Sequence, residues 1–288
     1  MDDCDYYAPT DLADAVKHLS QSGARALAGG TDLLLQIRSG LQRPAAIVDL
    51  KNIADLGQVQ IDAARVRVGS TVSGAELTAN AALTACYPGV VEAAGLIGST
   101  QVQGRATIGG NLCNGSPAAD SVPALIAAGG VCDISGVNGE RQIPVAELLI
   151  GPGQLDLQPG EIVAAIVLPR PAPGQADAYC RFIPRTEMDI AVAGVAVNLT
   201  LDDQGVCRQA RVVIGGVAPT ALLVPQAGDA LVGTKLDATA LAAAGAAASA
   251  AAKPISDKRG TAEFRRKIVG VLTRRVARIA ADRTGRAG

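Results

Sequence analysis

Aromatic side chains are the first scarcity of this chain: Tyr, Phe and Trp together make up 2% of its 288 residues, and Trp is absent. The core must be packed from Val, Leu, Ile and Ala, and surfaces on which bases could stack are few. His18 is the single histidine, so Ser-His-Asp or Cys-His chemistry has one place to rest. It stands beside a helical face of Leu12, Val16 and Leu19, the position of an ordinary surface histidine. The six cysteines, at 4, 86, 113, 132, 180 and 207, contain no C-x-x-C, and no pair is closer than Cys113 and Cys132. That spacing argues against zinc or iron–sulfur ligation and for reduced thiols, several of them buried.

A charge bias is also missing. Lys and Arg number 26 against 27 Asp and Glu, so no global field favours nucleic acid. The one local excess runs from Lys258 onward, where ten basic residues face only Glu263 and Asp282. It is either a solvated helix face or the mark of an acidic partner. No run is apolar enough to predict a membrane span: Ala238 to Ala252 is almost all alanine and reads as a helix. Met1-Asp2-Asp3-Cys4-Asp5 lacks the basic and apolar regions of a secretion signal, which sets a cytoplasmic expectation. No G-x-G-x-x-G follows a strand, and Gly228 to Lys235 carries its Lys and Thr in the wrong order for a P-loop.

What is present is ample aliphatic material, 49% hydrophobic residues, on a length that suggests two domains. A helix from Thr10 to about Ser20, a strand at Ala26-Leu27-Ala28, a helix over Leu33 to Ile37 capped by Thr31 or Asp32, and a strand at Ala46 to Leu50 form a small α/β unit. A second unit holds a strand at Arg65 to Gly69, helices near Ser73 to Asn80 and Gly89 to Ile97, and a helix capped by Ser121. It closes with strands at Val131 to Ile134 and Ile162 to Leu168, the former turning at Asn138-Gly139. Pro169 to Gly174 reads as a linker. Beyond it, Ile190 to Leu201 and Val206 to Ile214 flank an Asp202-Asp203-Gln204-Gly205 turn. A long helix with Phe264, Ile268, Val271, Leu272, Val276 and Ile279 at helical spacing and arginines on the remaining face then ends the chain.

Two glycine turns stand out, Ala28-Gly29-Gly30-Thr31-Asp32 and Thr107-Ile108-Gly109-Gly110-Asn111, about 80 residues apart. Without a Cβ, such turns let peptide N–H groups approach an anion, and a following helix adds its first-turn amides. Taken alone, each is an ordinary turn; together they suggest a dinucleotide pyrophosphate gripped from two sides. The second continues through Gly115-Ser116 to Asp120, whose carboxylate either accepts from ribose or ring hydroxyls or serves as a helix cap.

These residues resemble the flavin-binding medium subunit of the molybdenum hydroxylases, the xanthine dehydrogenase and carbon monoxide dehydrogenase group. The resemblance covers essentially the whole chain. Ala28 to Asp32 and Thr107 to Asn111 look like its two FAD loops, Arg181 to Ala191 like the segment that approaches the flavin ring, and Ser256 to Arg266 like the lead into its last helix. It implies an α+β protein: an FAD-binding domain of the PCMH type at 1–172, with α/β subdomains at about 1–60 and 61–172, then an α+β domain at 175–288 with a three-stranded sheet. Ala28, Gly29, Gly30, Thr31, Asp32, Leu33, Ile97, Thr107, Gly109, Gly110, Asn111, Gly115, Ser116, Asp120, Ile162 and Arg181 are the FAD-binding residues it implies. Ile97 and Ile190 stand where some relatives carry aromatic residues, so ring contact would be aliphatic. Arg181 either places positive charge near reduced flavin or is an ordinary surface arginine.

The function implied is electron transfer. Iron–sulfur clusters in a small partner subunit would pass electrons from a molybdopterin-binding large subunit to FAD here, and FAD would reduce an external acceptor. No catalytic residue or metal site is expected in this chain, and the assembly implied is a dimer of heterotrimers. The competing readings are a self-sufficient flavin oxidase and a cofactor-free adaptor.

Overall fold

The computed structural model describes residues 4–287, so Met1 to Asp3 of the acidic N-terminus lie outside the described residues. Strand β1 (Asp5–Tyr7), helix α1 (Leu12–Leu19), β2 (Ala24–Leu27), α2 (Leu33–Arg38) and β3 (Ala46–Asp49) make a parallel sheet of order β1-β3-β2. Asp11 caps α1 by accepting from the Asp14 N–H at 2.9 Å, and Ala15, Val16 and Leu19 are buried on its inner side. His18 is half-buried because its ring stacks on Tyr7, with centroids 3.7 Å apart.

An antiparallel sheet follows, of order β4-β5-β10-β6-β7. Strands β4 (Val59–Ile61) and β5 (Arg65–Gly69) lead into six short helices: α3 (Gly74–Ala79), α4 (Ala81–Cys86), α5 (Pro88–Ala94), α6 (Thr100–Gln103), α7 (Ile108–Cys113) and α8 (Ser121–Ala127). A capping box between Ser73 and Glu76 opens α3. The chain returns through β6 (Val131–Gly136), β7 (Gly139–Pro144), α9 (Val145–Leu148), the hairpin β8 (Leu149–Gly151) and β9 (Gln154–Leu155), and β10 (Ile162–Pro169). The β6–β7 turn falls at the expected Asn138-Gly139, with Gly139 at φ 102°. Strand β10 binds the two units because its residues alternate between them. Val163, Ile166 and Leu168 pack in the core of the second unit, while Ile162 and Ala164 pack in that of the first.

The C-terminal part holds β11 (Gln175–Phe182), β12 (Ala193–Leu201), β13 (Cys207–Gly215) and β14 (Leu222–Leu223), then α10 (Pro225–Asp229), α11 (Ala238–Ala251) and α12 (Ala262–Arg283). Its sheet has four strands, one more than expected, since the two residues of β14 are too few to show a period. Strand β12 starts at Ala193 rather than Ile190, because residues 183–192 form a loop. Arg265 departs from the outward arginine face of α12. It is buried, donating to the Val192 and Gly216 carbonyls at 2.8 and 3.1 Å and to Asp257 at 2.7 Å. Arg259, Arg283 and Arg286 are likewise ion-paired, with Asp189, Glu92 and Asp203, which leaves Lys258, Arg266, Lys267, Arg274, Arg275 and Arg278 as the exposed basic residues.

Two buried carboxylates join the C-terminal sheet to the helices beneath it. On β11, Asp177 accepts from the Gly89 and Val90 N–H groups at 2.9 and 3.1 Å. Asp120, just before α8, accepts from the Tyr179 hydroxyl at 2.8 Å and from Arg181 at 2.6 Å. Burial raises both carboxyls, Asp120 to about 6 and Asp177 to about 7, against the opposing pull of their donors. Their folded values lie above the unfolded ones, so the folded chain binds more protons between about pH 4 and about pH 7, and stability falls as pH rises through that window. The ligand-free chain should therefore melt a few degrees higher at about pH 5.5 than at about pH 7.5, and Asp177→Asn should flatten that slope; scanning fluorimetry across the range checks both.

Candidate functional site

A cleft of about 1400 Å³ runs between the parallel sheet and the second unit. Of the sixteen residues expected to hold cofactor, Ala28, Gly29, Gly30, Thr31, Asp32, Leu33, Ile97, Thr107, Gly109, Gly110, Asn111 and Ile162 all line it. Leu50, Cys113, Leu155, Leu157 and Val163 add apolar lining, and Gln36, Gln42, Gln158 and Glu161 polar lining.

The first loop leaves β2 at the C-terminal edge of the parallel sheet, where ligands of α/β folds collect. Gly30 turns at φ 77°, and the N–H groups of Gly29, Gly30, Thr31, Asp32 and Leu33 have no acceptor among the described residues. Neither expected cap forms. Asp32 holds the N-cap position of α2 with a helical backbone and makes no side-chain cap hydrogen bond, so the first-turn amides stay free. Burial alone pushes the Asp32 carboxyl up.

The second motif is built differently from the turn its sequence suggested. Thr107 caps helix α7, and Gly109 and Gly110 lie in its first turn with ordinary helical backbones. Their amides are taken: Ile108 N–H by Val72, Gly109 N–H by the Ser70 carbonyl at 3.1 Å, Gly110 N–H by Thr107 Oγ1 at 3.0 Å and Asn111 N–H by the Thr107 carbonyl. Amide cradling thus belongs to the first loop alone. The second motif supplies closeness. A Cβ on Gly109 would come within 2.5 Å of the Ser70 carbonyl, and one on Gly29 within 1.8 Å of that of Arg105. A Cβ on Gly110 would meet only Thr107 Oγ1 and, at 4.0 Å, Ala28 Cβ, so the two motifs face each other.

The remaining four residues stand behind the cleft and do not line it. Gly115, at φ 65°, lets the β8–β9 turn approach, with Gly153 N–H donating to its carbonyl at 2.9 Å. Ser116 Oγ accepts from Ala118 N–H at 3.3 Å. Asp120 and Arg181 spend their charges on each other in a buried pair, so Arg181 is neither a surface arginine nor a free cation over the cleft. Helix α8 begins at Ser121 itself, whose hydroxyl donates to Asn111 Oδ1 at 2.7 Å instead of capping. At the Ile97 end, the loop after β11 folds over: Met188, at φ 50°, donates its N–H to the Gly98 carbonyl at 3.4 Å. Ile190 is 51% exposed there.

Sequence reasoning missed several residues of this site. Ser70 lines the cleft with a buried hydroxyl that has no partner, and Gln36 Nε2 donates across it to Asn114 Oδ1 at 3.1 Å. Lys51 holds the Ala28 carbonyl at 3.1 Å. These are polar residues in non-repeating positions, and only the chain's path makes neighbours of them. The residues fit an extended dinucleotide: free consecutive amides for a diphosphate, an orphaned hydroxyl, and glycines whose backbone contacts keep the two walls close.

Residues 2–171 match the family model described as the FAD binding domain in molybdopterin dehydrogenase. The chain belongs to that family. Residues 178–280 match the CO dehydrogenase flavoprotein C-terminal domain. The chain is 37% identical over 273 residues to the carbon monoxide dehydrogenase medium chain of Afipia carboxidovorans, covering 94% of each. It is 30% identical over 279 residues to the xanthine dehydrogenase FAD-binding subunit of Escherichia coli O157:H7, covering 96% of this chain and 95% of that one. Among solved structures, a chain of the cyanide-inactivated Cu,Mo-CO dehydrogenase superposes with a TM-score of 0.93 at 36% identity, covering 97% and 98%. The flavoprotein family inferred from the motifs is thus the right one, and the chain carries an FAD-binding domain of an oxidoreductase subunit. Among the described residues no group of His, Cys, Asp and Glu could hold a metal ion, and no helix is long and apolar enough to cross a membrane.

The contrast between the two adjacent glycines of α7 is testable. Gly109→Ala drives a Cβ into backbone and should lower the thermal midpoint and the yield of folded chain. Gly110→Ala brings its Cβ to 2.8 Å from a side-chain oxygen, the Thr107 cap, which can turn aside at the cost of one hydrogen bond, so it should lose less stability than Gly109→Ala; circular dichroism melts of the two variants separate these outcomes.

Proposed function

We propose that the chain is the FAD-carrying electron-transfer subunit of a multisubunit molybdenum hydroxylase. The observation that carries this is the run of five unpaired N–H groups, Gly29 to Leu33, opening into a cleft of dinucleotide size in a chain of this family. When bound, FAD supplies one- and two-electron redox chemistry, taking electrons from a partner's iron–sulfur clusters and giving them to an external acceptor.

The chain's residues hold and shape the site. The first loop neutralises the diphosphate, with Thr107, Asn111 and the orphaned Ser70 hydroxyl as further polar contacts. Residues 1–172 act as the FAD-binding domain, and residues 175–288 as the domain whose 183–192 loop closes the ring end over Ile97. Ile97 and Ile190 give that end an aliphatic surface. Gly115, Ser116, Asp120 and Arg181 act from behind by fixing the loops and the domain contact. The partners are a large molybdopterin-binding subunit and a small subunit with [2Fe-2S] clusters, assembled as a dimer of heterotrimers in the cytoplasm. The relatives' names support this reading, being medium chains or FAD-binding subunits of dehydrogenases.

Purified alone, the chain should be yellow, hold about one FAD and no iron, and turn over substrate only when partner subunits are added. Gly110→Val, which thrusts two methyl groups toward Ala28, should weaken FAD binding by at least about tenfold, while Asp120→Ala should lose less affinity and more stability. Absorbance at flavin wavelengths and FAD titration decide it. A colourless chain that cannot be reconstituted would point to an adaptor, and turnover without partners to a self-sufficient oxidase.

A further inference from the structure

The C-terminal edge of the parallel sheet carries a side-chain network outside the cleft lining. Asp49, at the end of the central strand β3, is buried, and both of its oxygens are engaged. Oδ2 accepts from the Tyr6 hydroxyl of β1 at 2.6 Å. Oδ1 accepts from Lys51 Nζ at 2.6 Å and from the Lys51 backbone N–H at 3.0 Å. From that anchor Lys51 Nζ reaches past the end of β2 and donates to the Ala28 carbonyl at 3.1 Å. The ends of all three strands are thereby tied through one carboxylate. Burial works to raise the Asp49 carboxyl, but its hydrogen bonds from Lys51 and Tyr6 prevail and hold it below the usual carboxylate range, where it is ionised at neutral pH.

The Gly29 N–H shares a peptide unit with that carbonyl. In a trans peptide the carbonyl and the following N–H point to opposite sides of the chain, and the described residues contain no cis bond. Fixing the Ala28 carbonyl on Lys51 therefore directs the Gly29 N–H away from Lys51. Gly29 N–H is the first of the five free amides, and Gly29 lines the cleft. A glycine offers no Cβ to oppose rotation of the Ala28–Gly29 peptide plane, so the plane must be held by something else.

We propose that Lys51, braced by Asp49 and Tyr6, is a positioning residue that sets the Ala28–Gly29 peptide plane and so aims the first amide of the diphosphate cradle. It need not touch the nucleotide to do so. The inference rests on the FAD reading above, and its consequences can be separated from that reading.

The test uses the full-length chain, freed of flavin, as the natural protein and as Lys51→Met, Lys51→Arg and Tyr6→Phe. Each is titrated with FAD, melted without ligand, and examined for the backbone amide resonance of Gly29 without ligand. Lys51→Met should weaken FAD binding roughly tenfold to a hundredfold, the effect of losing a charged hydrogen bond. Lys51→Arg, which can still donate, should stay within roughly threefold, and Tyr6→Phe should fall between them. The Gly29 resonance should move in Lys51→Met and hold in Lys51→Arg; Lys51→Met, which strands the buried Asp49 carboxylate, should also melt lower without ligand, whereas Lys51→Arg should not. The proposal is overturned if Lys51→Met binds FAD as tightly as the natural chain. It is also overturned if the Gly29 resonance does not move, or if across the variants affinity follows the ligand-free melting temperature and not the displacement of that resonance. A natural chain that binds no FAD would instead overturn the FAD reading, and the Gly29 resonance would still judge the role of Lys51.

Discussion

The cleft exists because backbone meets backbone at two points where no side chain fits. At one, Gly29 lies against the carbonyl of Arg105; at the other, Gly109 lies against Ser70. The first contact joins the parallel-sheet unit to the segment leading into α7, and the second joins α7 to the end of β5. With the bridge between Ser73 and Thr107 and the Gly74 N–H on the Ala106 carbonyl, they set the two motifs facing each other across a gap. A methyl group at either glycine would separate walls that everything else in the site presumes to be close.

That constraint gives glycine two distinct roles in motifs that look alike on paper. In the first, Gly30 has the positive φ that frees a run of amides. In the second, both glycines are helical and every amide through Asn111 is satisfied, so their value is thinness. A sequence records the missing Cβ in each case without saying whether conformation or proximity requires it. The symmetric picture of two amide cradles gives way to a division of labour in which one loop keeps its amides free and one short helix narrows the gap.

Much of the fold was legible because it rests on periodicity and punctuation. The alternation Arg65-Val66-Arg67-Val68 marked β5, Asn138-Gly139 marked the β6–β7 turn, and Asp202 to Gly205 marked the β12–β13 turn. Where the reading failed, a local rule met a tertiary demand. Ser121 had the chemistry of a cap, but its hydroxyl is turned to Asn111. Arg265 had the spacing of an outer face, yet three acceptors from Val192, Gly216 and Asp257 draw it inside. Asp120 and Arg181 were both recognised as important, but their mutual pairing across 61 positions leaves no pattern in a single sequence.

The distribution of charge follows the same logic. Buried pairs are weak sources of net stability, because desolvation offsets most of their attraction, but breaking one strands a charge. Asp120 with Arg181, and Asp177 with the α5 amides, therefore serve better to fix where the C-terminal sheet sits than to strengthen it. That placement matters because the loop leaving β11 carries Met188 to Gly98, next to Ile97 of the cleft. A shift of the sheet would open that end without touching a residue that lines it. The pairs behind the site thus determine its shape, and a cofactor that brings its own redox chemistry asks a scaffold for little beyond shape and a place for its phosphates.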